Sequence, residues 1–226
     1  MKFQIIKTHL KNKIFNLIGK TSLSRIQLNR WLKSVDIKTD KVLEVGPSFN
    51  PVINKVRSWK VNRYKTLDNN LEADCNPNFS LDLNHIRFSD KYGWIGKRKK
   101  DNRVIKEVFK FSPNIIFCLE VMEYIYKPNE VLAFFHDFLS KDGTLYISFH
   151  SIYPVHEPYK YDSLRYTKWG VINLLKDSGF SKWEIEPRTV TVGKSELLSF
   201  YKKEKMRALK NSDLIIETGY LVKAEK

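Results

Sequence analysis

The stretch Lys41 to Pro51, K-V-L-E-V-G-P-S-F-N-P, constrains the fold more than any other part of the chain: an apolar strand runs into a glycine and a turn. A buried parallel strand reads as such a run, and open α/β sheets place ligands at the C-terminal ends of such strands. As the first strand of a nucleotide-type fold, the stretch makes Gly46 the point where the backbone passes closest to a ligand. A second strand-like segment, Val61 to Leu67, is followed at once by Asp68. A carboxylate roughly 20 residues beyond such a turn holds a ribose diol, so the pair suggests an adenosine-containing ligand.

From Lys41 onward strand and helix patterns alternate, the signature of a parallel α/β sheet. The pattern predicts strands at Lys41 to Val45, Asn62 to Leu67, Phe79 to Leu83, Asn114 to Leu119 and Thr144 to Phe149. Helices are expected at Val52 to Ser58, Pro128 to Ser140 and Thr167 to Ser178. Trp183 to Val192 and Leu214 to Lys226 alternate like antiparallel strands, with a basic helix from Ser195 to Lys210 between them. The basic segment Tyr92 to Arg103 reads as an exposed loop or a short extra helix. Before the sheet, Met1 to Lys20 reads as a basic amphipathic helix. A second helix, capped by Ser22 or Ser24, runs to Val35 with Ile26, Leu28, Trp31 and Leu32 on its buried side. The organisation is therefore a basic helical extension over residues 1–40 and one α/β domain over residues 41–226.

A formal charge of +15 favours anionic partners. Residues 1–40 hold nine Lys and Arg against Asp36 and Asp40, a net +7, and further clusters lie at Lys97 to Arg103 and Lys202 to Lys210. The apolar residues near the N-terminus are interrupted by Lys7, Lys11 and Lys13, which spoils a signal-peptide core, and no run is long enough to span a bilayer. A cytoplasmic location follows as the default, with peripheral membrane contact through residues 1–20 as an alternative to packing on the domain edge. Cys75 and Cys118 have no Cys or His partners at metal-ligand spacing, so neither a zinc site nor a disulfide is expected.

In this order the elements resemble the class I S-adenosylmethionine (SAM)-dependent methyltransferases. These have a Rossmann-like, seven-stranded, mostly parallel sheet closed by an antiparallel C-terminal hairpin. The resemblance covers Lys41 to Lys226. V-L-E-V-G-P-S is similar to the family's first motif, T-L-D at Thr66 to Asp68 to its ribose-binding acid, and L-D-L at Leu81 to Leu83 to the acid near adenine. I-I-F-C-L-E-V-M-E-Y-I, Ile115 to Ile125, resembles the fourth strand and its turn, and F-L-S-K-D-G-T-L-Y-I-S, Phe138 to Ser148, the turn into the fifth. Y-P-V-H-E-P-Y-K-Y-D-S-L-R-Y-T, Tyr153 to Thr167, with D-S-G-F at Asp177 to Phe180, resembles a type 11-like branch associated with polysaccharide and sugar modification. The first loop keeps one glycine, Gly46, where the family usually carries two or three, and Glu123-Tyr124 stands where the branch commonly has an acid-histidine pair.

The resemblance implies SAM as cofactor and no metal. It places Glu44, Gly46, Pro47 and Ser48 at the methionine end, Asp68 on the ribose, Asp82 and Leu83 near adenine, and Glu120 after the fourth strand. The alternative for Glu44 is capping a turn, and for Asp82 a surface acid. On the acceptor side, Glu120, His150 and His156 come over one end of the sheet. His156 is the preferred general base, because a neutral imidazole takes a hydroxyl proton near neutral pH. Asp162 is read as orienting it or binding a sugar hydroxyl. Arg165 either clamps an anionic acceptor or pins its loop to the following helix. The expected activity is O-methyl transfer to a saccharide or other small polar acceptor. RNA methylation, motivated by the basic clusters, and a non-catalytic scaffold, motivated by the missing glycines, are the alternatives.

Overall fold

The computed structural model describes residues 22–47, 51–69, 76–191 and 215–226. The expected helices at Met1 to Lys20 and Ser195 to Lys210, together with Ser48 and Cys75, lie outside the described residues. The first described element is helix α1 (Leu23–Leu32), whose N-cap Ser22 accepts a hydrogen bond from the Arg25 amide. Leu28 and Leu32 are buried, while Ile26, expected inside, is 43% exposed.

Seven strands form one sheet: β1 (Asp36–Val45), β2 (Ser58–Asp68), β3 (Phe79–Ser80), β6 (Ile115–Cys118), β7 (Thr144–His150), β8 (Lys182–Thr191) and β9 (Ile215–Glu225). Their order is β3-β2-β1-β6-β7-β9-β8. The first five are parallel, and β9 pairs antiparallel with both β7 and β8. A separate hairpin joins β4 (Ile86–Ser89) and β5 (Gly93–Gly96). Alternation along the buried strands divides the core. Leu43, Val45, Ile116, Leu145 and Ile147 share one cluster with the helices α2 (Lys99–Phe111), α3 (Pro128–Phe138) and α4 (Lys168–Asp177). Val42, Phe117 and Tyr146 point to the other face, where α1 covers them with Leu28 and Leu32.

Three expected elements differ. The helix at Val52 to Ser58 is only a 3-10 turn, Val52–Asn54, because β2 already begins at Ser58, in register with Asp36 of β1. Residues after Pro51 are also β-branched at Val52, Ile53 and Val56, which favours extended chain. The third strand ends at Ser80, since Asp82 caps a 3-10 turn, Leu83–His85, through the Asn84 amide. Tyr92 to Arg103 carries the expected extra helix only from Lys99, and a strand precedes it. The segment holds β5 and the start of α2, whose Ile105, Val108 and Phe111 recur at helical spacing and are buried.

Candidate functional site

Strands β1, β2, β6 and β7 end along one edge, and the strand order reverses between β1 and β6, the position where such sheets form a crevice. Gly46 leaves β1 with φ of +65° and donates its N–H to Leu67 O at 2.9 Å. A Cβ there would sit 2.5 Å from Val121 Cγ2, so the loops after β1 and β6 touch at this glycine. Pro47 follows it, partly exposed. Glu44 is turned into the protein, where its carboxylate accepts from the Val52 amide at 3.0 and 3.1 Å and from the Tyr64 hydroxyl. Burial raises its pKa against the pull of those bonds. It caps the turn that follows β1.

Asp68 closes β2 beside Ser80 of β3, at the same edge as Gly46. The Asp82 carboxylate accepts from the Asn84 amide at 2.9 Å and lies 3.6 Å from His85 Nε2, and Leu83 is buried in the main core. Asn84 was not singled out from sequence, yet it ties this segment to the loop after β6. Its side chain donates to Tyr124 O at 3.0 Å and accepts from the Tyr126 amide at 2.8 Å.

A second group of ionisable side chains gathers over the ends of β6 and β7. Ser148 and His150 alternate on one face of β7, and both are buried. Glu120 has φ of +58°, a left-handed conformation uncommon for a residue with a side chain. It is held by its amide on Ser148 Oγ at 2.8 Å, by the Ser148 hydroxyl on its Oε1 at 2.9 Å, and by Arg188 Nη1 on the same oxygen at 2.9 Å. Burial would raise its pKa, but His150 and Arg188 outweigh burial and hold it well below the carboxylate range. His150 Nε2 lies 3.3 Å from Glu120 Oε2 and 3.3 Å from Glu123 Oε1. Burial would lower its pKa, yet the two carboxylates push it up to about 9.

Arg188, on β8, is completely buried and reaches His150 across the intervening strand β9. Gly219 of β9 is the register partner of both residues. A Cβ on Gly219 would lie 2.5 Å from Phe149 O and 3.0 Å from Arg188 Nε and Nη2, so the missing side chain is the space the guanidinium occupies. Neither Arg188 nor Gly219 carries a local sequence signal for this role. Ser148 and His150 do: polar residues at alternate positions of an otherwise apolar buried strand need partners.

The loop between β7 and α4 brings His156 over the same cluster. Its Nδ1 lies 2.9 Å from the Tyr124 hydroxyl and 3.1 Å from Glu157 O, while Nε2 faces Glu123 Oε1 at 3.8 Å. Tyr153 stacks on His150 at 4.2 Å between ring centroids. Asp162 accepts from the His156 amide at 2.8 Å and from both Nη atoms of Arg165, which hold its pKa down at about 2. Arg165 spends its remaining donors on Tyr153 O, Leu164 O and Pro154 O at 3.0, 2.8 and 3.0 Å. All five N–H groups are thus engaged within the loop, the arrangement of a pin rather than a clamp for an anion. His85 and His136 lie elsewhere, beside Asp82 and Asp137. Among the described residues no helix is long and apolar enough to cross a membrane.

No protein-family model matches the chain, and no curated protein matches it. Among solved structures it is similar to a SAM-dependent methyltransferase from Archaeoglobus fulgidus. That match has TM-score 0.51 and 13% identity, over 95% of this chain and 99% of that one. It is also similar to an S-adenosylmethionine-dependent methyltransferase from Mesorhizobium loti, with TM-score 0.50 and 13% identity over 91% and 98% of the two chains. At such identities the likeness concerns the fold, which is the seven-stranded α/β fold of those enzymes with the β4-β5 hairpin set outside its sheet.

Proposed function

We propose that the chain is a SAM-dependent methyltransferase acting on a hydroxyl of a saccharide or another small polar acceptor. The observation that carries this reading is the convergence of Glu120, Glu123, His150 and His156 beside the crevice at the strand-order reversal. The residues fit the cofactor on one structural ground: Asp68 ends β2 at the same edge as the Gly46 turn, one strand away, where a ribose diol would meet it. Asp68, Gly46, Pro47, Glu120 and the segment at Asp82 and Leu83 are the groups assigned to hold it, with Glu44 supporting the turn from within. When bound, SAM supplies a methyl group as a sulfonium.

The protein's part is to orient the acceptor and remove its proton. As the acceptor oxygen gains the methyl group, its proton passes to a base. Among the protein's own groups that base is His156, through Nε2. Nδ1 is anchored by Tyr124 and Glu157 O, which leaves Nε2 on the side of the cluster. Asp162 positions His156 by accepting from its amide, and its Oδ2 lies 4.0 Å from Nε2.

Calorimetric titration of the folded chain with SAM tests the reading, with Asp68→Ala expected to weaken binding by about 10- to 100-fold through loss of a charged hydrogen bond. No binding, or equal binding by Asp68→Ala, sinks it. A second reading, RNA methylation, is favoured by one observation. Phe88 and Tyr92 of the β4-β5 hairpin are 55% and 68% exposed, Lys91 lies over the Tyr92 ring, and Lys97 to Lys100 are exposed beyond the hairpin's other end. RNA binding that does not weaken steeply with salt would exclude it.

A further inference from the structure

We infer that Glu123, His150 and His156 form a binding site for one divalent transition-metal ion of the zinc type. Three observations lead there. One ligating atom from each residue lies within 4.8 Å of the other two. Glu123 is only 1% exposed, and neither of its carboxylate oxygens has a hydrogen-bond partner. Its Oε1 faces two imidazoles, His150 Nε2 at 3.3 Å and His156 Nε2 at 3.8 Å, with no donor aligned on it, and a coordinated cation would take the place of those contacts. The imidazoles, finally, present the correct nitrogens. His156 donates from Nδ1 to Glu157 O, which leaves its Nε2 for a ligand, and the Nε2 atoms of both rings face Glu123. A metal-bound histidine commonly donates its other ring N–H to a carbonyl in the way His156 does.

The donor set of two imidazoles and one carboxylate suits zinc and its neighbours, and three protein ligands leave a position open. A tetrahedral zinc ion needs ligand atoms about 3.3 Å apart, from bonds of about 2.0 to 2.1 Å. His150 Nε2 is already 3.3 Å from Glu123 Oε1, and His156 Nε2 is 3.8 Å from it. The remaining closure falls to His156, which sits on a loop and is partly exposed. Arg188 does not cancel the attraction for a cation, because Glu120 pairs with it at 2.9 Å. Sequence spacing did not announce this site, since its ligands come from the turn after β6, the end of β7 and the loop beyond.

Ion binding does not depend on the methyltransferase reading, but its use does. At the open position the ion would bind the acceptor oxygen and make its hydroxyl more acidic, the proton leaving to solvent water as the oxygen gains the methyl group, with His156 then serving as ligand instead of base. The test is calorimetric titration of the chelator-treated full chain with zinc chloride, without SAM, alongside His156→Ala and Glu123→Gln. Thermal unfolding before zinc is added checks that each variant is folded. The expected result is one ion per chain, with affinity at least 10-fold weaker in His156→Ala and in Glu123→Gln. Absence of stoichiometric binding overturns the site, and so does undiminished affinity in folded His156→Ala. SAM titration of the same chelated sample separates the two proposals. SAM binding without zinc binding removes only the metal site, and zinc binding without SAM binding removes only the methyltransferase reading.

Discussion

Replacing Arg165 with methionine should release the loop that carries His156 while leaving the sheet intact. The substitution keeps the length of the apolar stem but removes five donors, leaving the buried Asp162 carboxylate and the carbonyls of Tyr153, Pro154 and Leu164 to lose their partner. Holding Asp162 at about 2 against an ordinary 3.8 corresponds to about 2 kcal/mol. Breaking a buried pair costs about 3 to 5 kcal/mol, less here because the Arg165 side chain is 24% exposed. A loss of about 3 kcal/mol in loop docking follows, or roughly 100-fold in its opening equilibrium. Hydrogen exchange reads this directly. The amides of Ser163 and Leu164 donate to Glu123 O, and that of Tyr166 to His150 O, only while the loop is docked. Their protection should fall roughly 100-fold in Arg165→Met and roughly 10-fold in Arg165→Lys, with Ile147 in β7 unchanged. The sign of the pH effect is set by a depressed carboxylate pKa. The stabilisation is present above 3.8 and is lost as pH falls through about 2, so wild-type protection should drop toward the variant's between pH ~4 and 2. Unaltered protection in Arg165→Met would show that the Tyr166 hydroxyl on Met122 O, at 2.7 Å, holds the loop instead.

Gly219→Ala should cost about 1 to 3 kcal/mol by urea denaturation, since its Cβ meets Phe149 O and the Arg188 guanidinium at 2.5 and 3.0 Å. Glu120→Gln alone should cost about 3 kcal/mol by the same measurement, because Arg188 is left buried without its counter-charge. Adding Arg188→Met to it should recover all but about 1 kcal/mol. Additive losses in the double variant would mean that the two charges are not coupled. Tyr124→Phe removes the hydroxyl 2.9 Å from His156 Nδ1. In a methyl-transfer assay it should lower kcat by about 10-fold and shift the pH-rate profile, with SAM affinity unchanged.

Most of the sheet was legible because each strand carries its own signal. Val42 to Val45, Ile115 to Cys118 and Leu145 to Phe149 are mainly apolar runs, interrupted only at Glu44 and Ser148, of the length that a buried parallel strand demands. Where a segment lacked such a signal, neighbours decided. Val52 to Ser58 has enough apolar residues for a helix, but the register of β1 with β2 takes Ser58 and leaves room for a single turn. The candidate site divides along the same line. His150, His156, Asp162 and Arg165 stand close in sequence to recognisable strand ends and turns, so their gathering was readable. Arg188 was not, for a physical reason: it acts across β9, and its access depends on the absence of a side chain at Gly219, 31 positions later in the chain. Glu123 is a related case. Read along the chain it is an ordinary acid in a turn, and only the packing of β7 and the His156 loop above it makes it a buried carboxylate with two imidazoles in front and no hydrogen bond of its own. The property that gives the site its chemistry therefore arises from groups brought together by strand pairing and loop docking. For that reason removal of the Arg165 pin, which contacts neither crevice nor acceptor in its proposed role, is expected to disturb Glu123 and His156 together.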